Sequence, residues 1–192
     1  MRHFLILFND IPINKASVKA GTNSPEAITA ARCVNVGLFI SGNLRRDVVI
    51  SLAKGSPEDL RIISFLGDGL RRVSPDERSI SFFLLKAILI AEKQAMDSLE
   101  IMDSGIEVRR TSLKKFLDSV SPVRVYLSTP EITSDRVGDA KYDNSILIYS
   151  NEMQFDLIQE GSARILEKLP YFQHPERFIL DANMITDLKK AS

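Results

Sequence analysis

Two short clusters set side chains that could grip a polyanion close to ones that could move a proton. Leu44-Arg45-Arg46-Asp47-Val48 sets two guanidinium groups beside a carboxylate, and Ser74-Pro75-Asp76-Glu77-Arg78-Ser79 carries a third arginine where a helical pattern begins. A guanidinium stays charged and donates in a fork that matches phosphate or an oxyanion, so Arg45, Arg46 and Arg78 suit such contacts. Asp47 could orient these arginines or act on a proton, and the residues leave both roles open. Glu107-Val108-Arg109-Arg110 adds a third basic site, in which strand alternation puts Val108 and Arg110 on one face and Glu107 and Arg109 on the other. Each cluster also has an ordinary reading: a solvated corner with a local ion pair, a helix cap, and a solvated strand end.

Other chemistries find little support. His3 and His174 lie far apart, and neither has a cysteine, aspartate or histidine at ligand spacing, so no metal site is expected. Cys33, the single cysteine, sits among apolar residues of a helical pattern and reads as packed rather than reactive; it excludes an intrachain disulfide and makes a reducing, cytoplasmic compartment the expectation. Neither a Gly-x-Gly-x-x-Gly stretch, a Walker loop nor a nucleophile elbow is present. Twenty-five basic residues balance twenty-five acidic ones, so no global field draws the chain to nucleic acid, and contact with RNA must come from local patches or from their doubling in a dimer.

The elements that must position these clusters alternate in type. At 192 residues, 44% of them hydrophobic, the chain can bury one sizeable core, and one domain spanning 1–192 is expected. Residues 4–8 read as a buried strand rather than a leader, and the apolar run 80–91 is too short and too often interrupted to span a membrane. Residues 11–24 read as a long loop. A helix capped by Ser24, with Pro25 at its first position, runs towards Gly42. Strands over 47–53 and 61–66 follow. Ser74, Pro75 and Glu77 predict a capping box for a helix that reaches about Met96 and is apolar nearly all round. Strands at 106–110, 123–127, 145–149 and 163–166 alternate with helices at 112–120, 155–161 and 175–190. This alternation predicts an α/β fold, a largely parallel sheet flanked by helices.

Taken jointly, the pieces resemble one family. Arg32-Cys33-Val34-Asn35, Leu38-Phe39-Ile40-Ser41, Leu44-Arg45-Arg46-Asp47-Val48, Phe65-Leu66-Gly67, Val73-Ser74-Pro75-Asp76-Glu77-Arg78-Ser79-Ile80 and Gly105-Ile106-Glu107-Val108-Arg109-Arg110 are similar, in order, to signature pieces of the archaeal tRNA pseudouridine-54 N1-methyltransferases, members of the SPOUT class. The resemblance implies an S-adenosyl-L-methionine-dependent enzyme with a C-terminal trefoil knot, a homodimer, and tRNA as partner. It implies catalytic roles for Asp47, Arg46 and Arg78, and RNA contacts at Arg45, Arg46, Arg109 and Arg110. Leu127, Tyr149, Ser150, Lys168, Leu169, Pro170 and Arg177 fall where the family holds its methyl donor. Where family members carry glycine-aspartate-histidine after the penultimate strand, this chain has Ser150-Asn151-Glu152-Met153-Gln154. A donor-less RNA-binding relative and an enzyme acting on ribosomal RNA are the alternatives.

Overall fold

The computed structural model describes residues 1–120, 122, 124–130, 142–151 and 166–191. Among them, ten strands and five helices follow the order β1 (Arg2–Phe8), α1 (Lys15–Ala20), α2 (Pro25–Leu38), β2 (Phe39–Ile40), β3 (Asn43–Leu44), β4 (Val48–Ser56), β5 (Asp59–Leu66), α3 (Glu77–Ala91), β6 (Ser98–Ile101), β7 (Glu107–Thr111), α4 (Leu113–Val120), β8 (Arg124–Ser128), β9 (Ser145–Ser150), β10 (Leu166–Lys168) and α5 (Pro175–Ala191). Eight strands make one sheet in the order β10-β8-β9-β1-β4-β5-β7-β6, and β2 pairs with β3 in a separate hairpin. From β10 to β4 every pairing is parallel; from β4 to β6 every pairing is antiparallel. The expected largely parallel α/β sheet is thus present.

The alternation within β1 sorts its residues between two cores. Phe4 and Ile6 pack with Ile50, Leu52 and Phe65 against α2, α3 and α5, whereas Leu5 packs with Ala53, Ile62, Val125 and Ile148 against α4. Strands buried on both faces need nearly continuous apolar sequence, which β1, β4, β8 and β9 have. No helix among the described residues is long and apolar enough to cross a membrane.

Local chemistry explains most element ends. Ser24 Oγ accepts the Ala27 N–H at 3.1 Å, as the capping pattern predicts. The helix stops at Leu38 rather than near Gly42, because Ser41 and Gly42 take positive φ and turn the chain into the β2–β3 hairpin. The expected loop over 11–24 instead contains α1, capped by Asn14, whose side chain accepts from Ser17 N–H, and closed by Gly21 in the left-handed region. Ser74 does not cap α3. Asp76 does, accepting the Ser79 N–H at 2.8 Å, and the helix ends at Ala91 rather than Met96. A carboxylate outcompetes a hydroxyl as acceptor, and it sits at the position where the backbone turns extended. Nor is α3 buried all round: Phe82 and Leu89 are exposed. Strand β6 went unpredicted, since Ser98-Leu99-Glu100-Ile101 lies at the sheet edge and needs little burial.

The helix expected at 155–161 and nearly all of the strand expected at 163–166 lie outside the described residues, as does Val123. The chain between β8 and β9 and between β9 and β10 includes residues 131–141 and 152–165, also outside them, and the knot that the resemblance implies is left with those segments.

Candidate functional site

The C-terminal ends of β10, β8 and β9 converge on one edge of the sheet. Register sets Leu127 level with Lys168 on one side and with Ile148 on the other. Leu169 N–H donates to the Leu127 carbonyl at 2.8 Å, and Ser128 Oγ–H donates to the Pro170 carbonyl at 2.8 Å, so the chain beyond β10 is tied to the end of β8. The Tyr149 hydroxyl lies 2.6 Å from the Phe172 carbonyl and 2.7 Å from Asn151 Oδ1, while the Tyr171 ring stacks on Tyr149 with centroids 5.8 Å apart. Burial, and then the hydrogen bond with Tyr171, push the Tyr149 phenol well above its ordinary pKa, so it stays a donor at any physiological pH. Leu127, Tyr149, Lys168, Leu169 and Pro170, expected together from the sequence, are neighbours here.

Ser150 closes β9 level with Leu7, in extended backbone. Among the described residues, the non-glycine positions with positive φ are Ser41, Arg72, Asp97 and Asn144, so the backbone at 150 does not require glycine. Ser150 and Asn151 line a cleft of about 460 Å³ with Phe8, Asp10, Glu26 and Gly55. One residue past β8, the fully buried Thr129 keeps its Oγ1 without a hydrogen-bond partner among the described residues. Arg177, in the first turn of α5, is exposed and pairs with Asp181 at 3.0 Å.

The Arg45-Arg46 and Arg78 clusters occupy the other end of the sheet. Arg46 is exposed; its guanidinium reaches the Asp68 carbonyl at 3.4 Å and borders a cleft of about 570 Å³ with Asn35, Phe39, Asn43 and Pro75. Because Asn35 Nδ2 donates to the Pro75 carbonyl at 3.1 Å, the two clusters singled out in sequence meet here, with Arg78 in the adjoining groove beside α1. Arg45 faces the other way. Its Nε donates to Asp187 Oδ2 at 3.1 Å and its Nη1 to the Val36 carbonyl at 3.2 Å, and only 9% of its side chain is exposed. Asp47 Oδ2 accepts from Arg2 Nη2 at 3.1 Å. Gly67 explains the Phe65-Leu66-Gly67 piece: a Cβ there would fall on the Arg45 carbonyl group and 3.0 Å from the Val48 carbonyl oxygen, so the loop holding Arg45 and Arg46 requires glycine.

These groups are spread over three places in one chain. The Arg2 N–H bonds to the Asp47 carbonyl, whereas Leu7 is level with Ser150, so strand rise separates Asp47 from Ser150 by roughly 20 Å. The path along α5 from Arg177 to Asp187 gives roughly 15 Å. Arg110 is level with Arg61 and so with Lys54, at the Ser150 end but across four strand spacings, again roughly 20 Å. There it forms a two-pronged pair with Asp59, Nε to Oδ1 and Nη2 to Oδ2 both at 2.8 Å, which raises its pKa. Arg109 donates to Ser119 Oγ at 2.7 Å and lies over the Phe116 ring.

Sequence reasoning missed Arg2, Asp187 and Thr129. Arg2 is 1% exposed and reaches Asp47, Asp187 and the Asn183 carbonyl, partners 45, 185 and 181 positions away. No local pattern encodes such pairings; an arginine opening an apolar strand was the one available signal.

A family model described as "Putative SAM-dependent RNA methyltransferase" matches residues 1–164. The chain is 43% identical over 91 residues to the tRNA (pseudouridine(54)-N(1))-methyltransferase of Methanococcus maripaludis, a stretch covering 47% of this chain and 43% of that protein. It is 33% identical over 124 residues to the protein of the same name from Natronomonas pharaonis, covering 63% of this chain and 61% of that one. To its counterpart in Haloferax volcanii it is 25% identical over 159 residues, 81% of this chain and 78% of the other. The matched stretch thus spans less than half the length of the Methanococcus relatives.

Proposed function

Since the chain belongs to this family of SAM-dependent RNA methyltransferases, whose model covers most of it, we propose that it methylates N1 of a pseudouridine at position 54 in the T-loop of tRNA. The carrying observation is the junction of β8, β9 and β10, sewn together by the Leu169 to Leu127 and Ser128 to Pro170 hydrogen bonds. Backbone groups at such strand ends, the unpartnered Thr129 hydroxyl and the extended Ser150 fit a ligand that carries both an amino acid and a nucleoside. Leu127, Tyr149, Ser150, Lys168, Leu169 and Pro170 would hold S-adenosylmethionine, with Arg177 at the mouth. When bound, it supplies a sulfonium-activated methyl group.

The protein's own part is to hold the RNA and to help the weakly acidic N1–H lose its proton. Arg46, exposed beside its cleft, suits a phosphate, and Arg78 extends that surface. Asp47, held by Arg2, suits an orienting role. Roughly 20 Å separates this end from the donor side within one chain, so a homodimer belongs to the proposal: the Arg46 and Asp47 end of one protomer serves the donor end of its partner. Arg45 acts through α5 rather than on RNA, while Arg109 and Arg110 contact more distant nucleotides. A single methyltransferase domain, a C-terminal knot and a cytoplasmic location complete the reading.

The test pairs two measurements. S-adenosylmethionine and its demethylated product should raise the melting temperature, since a ligand that binds only the native state stabilises it. Methyl transfer should require pseudouridine at position 54 of a tRNA transcript. No thermal shift at millimolar ligand sinks the donor site, and turnover on ribosomal RNA fragments alone sinks the substrate. RNA binding with neither shift nor turnover would mark a donor-less relative.

A further inference from the structure

The helices α1 and α3 enclose a groove of about 700 Å³ that the preceding reading does not use beyond Arg78. Its floor is apolar, with Phe82 (45% exposed) and Leu89 (54%) presented to solvent, an unusual exposure for a helix whose other face reaches the core. Its rim is cationic: Lys15, Lys19, Arg78 and Lys86. None of these four has an ion pair among the described residues, whereas Arg2, Arg45, Lys54, Arg61 and Arg110 all do. The acid in the groove, Asp76, has its carboxylate engaged as the α3 cap. In a chain of formal net charge +0 this is a local excess of positive charge over an exposed aromatic ring. Lys15 and Lys19 stand one turn apart on α1, where like charges repel, so the helix bears a cost that an anion would relieve.

We propose that this groove binds a single-stranded segment of the RNA substrate, a base stacking on Phe82 while the flanking phosphates lie against the lysines and Arg78. An aromatic platform flanked by cations is the arrangement that single strands use, because every base has a π-face and every nucleotide a charge. Lys86 Nζ stands over one face of the Phe82 ring, 4.3 Å from its centroid, a cation–π contact that a base stacking on that face would displace, freeing the ammonium for the adjoining phosphate. A second copy of the chain fits poorly: a two-fold contact here would set one cationic rim against another. The inference rests on the RNA reading above and adds to it a second place of contact, on the helical layer.

Fluorescence anisotropy with a labelled tRNA transcript, repeated over a salt series, tests it. Phe82→Ala should weaken binding roughly ten-fold, and the Lys15→Gln/Lys19→Gln double variant should lower the slope of log affinity against log salt by about two. Thermal melts of the variants guard against misfolding; all three positions sit at the surface of short-range structure. Wild-type binding with unchanged affinity and slope in both variants overturns the groove and leaves the RNA reading standing. No wild-type binding overturns both. A Phe82→Ala protein that passes from dimer to monomer in light scattering would make the groove a contact between copies and also overturn the proposal.

Discussion

Arg2, at the first position of β1, donates to Asp187 near the end of α5 at 3.0 Å, joining residues 185 positions apart. The guanidinium is buried between two carboxylates, since its Nη2 also reaches Asp47, and Asp187 uses its second oxygen to hold Arg45. One aspartate thereby anchors the last helix to both the central strand and the loop that presents Arg46.

Removing that anchor should cost stability. Asp187 is 40% exposed, so its loss lets water reach the arginines, and Asp187→Ala is expected to destabilise by about 1–3 kcal/mol in urea unfolding, below the figure for a fully buried pair. Adding Arg2→Met to Asp187→Ala should recover part of the loss, because the buried guanidinium, left with Asp47 as its remaining carboxylate, is then gone. A double variant as unstable as the sum of the singles would contradict the pairing.

Arg45 and Arg46, adjacent in sequence, should behave differently. Arg46→Ala is expected to weaken tRNA binding and to lower the salt slope by about one, with the melting temperature unchanged. Arg45→Ala should chiefly lower the melting temperature, since the Arg45 side chain is bonded to Asp187 and to the end of α2. Equal effects on RNA affinity would overturn this division.

Gly67→Ala tests the loop from its other side. The added Cβ must displace the Arg45 carbonyl, and overpacking against backbone is expected to cost about 1–3 kcal/mol and to reduce tRNA affinity with it. Wild-type stability in the alanine variant would show that the loop has room.

His3 should make stability fall on mild acidification. Its Nε2 lies 2.7 Å from Ser51 Oγ and its ring meets Phe116 edge-on at 5.4 Å; burial first, and the charge of Arg109 second, lower its pKa to about 3. The unfolded chain therefore takes up a proton near pH 6.5 that the native protein refuses. The stabilisation is whole above that value and drains away as pH falls towards 3, at about 1.4 kcal/mol per pH unit. Denaturant unfolding at pH 7 and at pH 5 measures it, and a His3→Asn protein should lose this slope. The carboxylates held low by partners, Asp10, Asp59 and Glu92, act further down the scale.

If the Asp47 end of one protomer serves the donor end of its partner, two inactive variants should repair one another. Asp47→Ala mixed with a variant blocked at the strand ends, such as Ser150→Trp, is expected to regain roughly a quarter of wild-type methyl transfer, since about half of the dimers are mixed and each of those carries one intact site. No recovery after mixing and refolding would place both groups on a single chain's site.

Much of the fold and part of the candidate site were legible in the sequence. The apolar runs at 4–8 and near 48 and 146 mark strands because burial on both faces demands continuous apolar sequence. Ser24 with Pro25 marks a helix start because the orphan N–H groups need an acceptor there. The cap of α3 was misplaced by two residues, as Ser74 and Asp76 both offer a capping oxygen, and the stronger acceptor sits where the backbone turns extended. Helix α1 was missed because its six residues are held by Asn14 and Gly21 rather than by any apolar stripe.

By itself the sequence determined which chemistry the chain carries: guanidinium groups, a carboxylate and capped helices in an order that resembles one family, with balanced charge and a lone cysteine. Tertiary structure alone decided where that chemistry points. Strand order sets Leu127, Ser150 and Pro170 at one end of the sheet and Asp47 at the other, and a helix residue 142 positions later turns Arg45 inward while Arg46 stays exposed. The physical reason is one of range. Periodicity and capping act over a few residues, whereas the partner of a buried charge is chosen by whichever distant segment the sheet brings beside it.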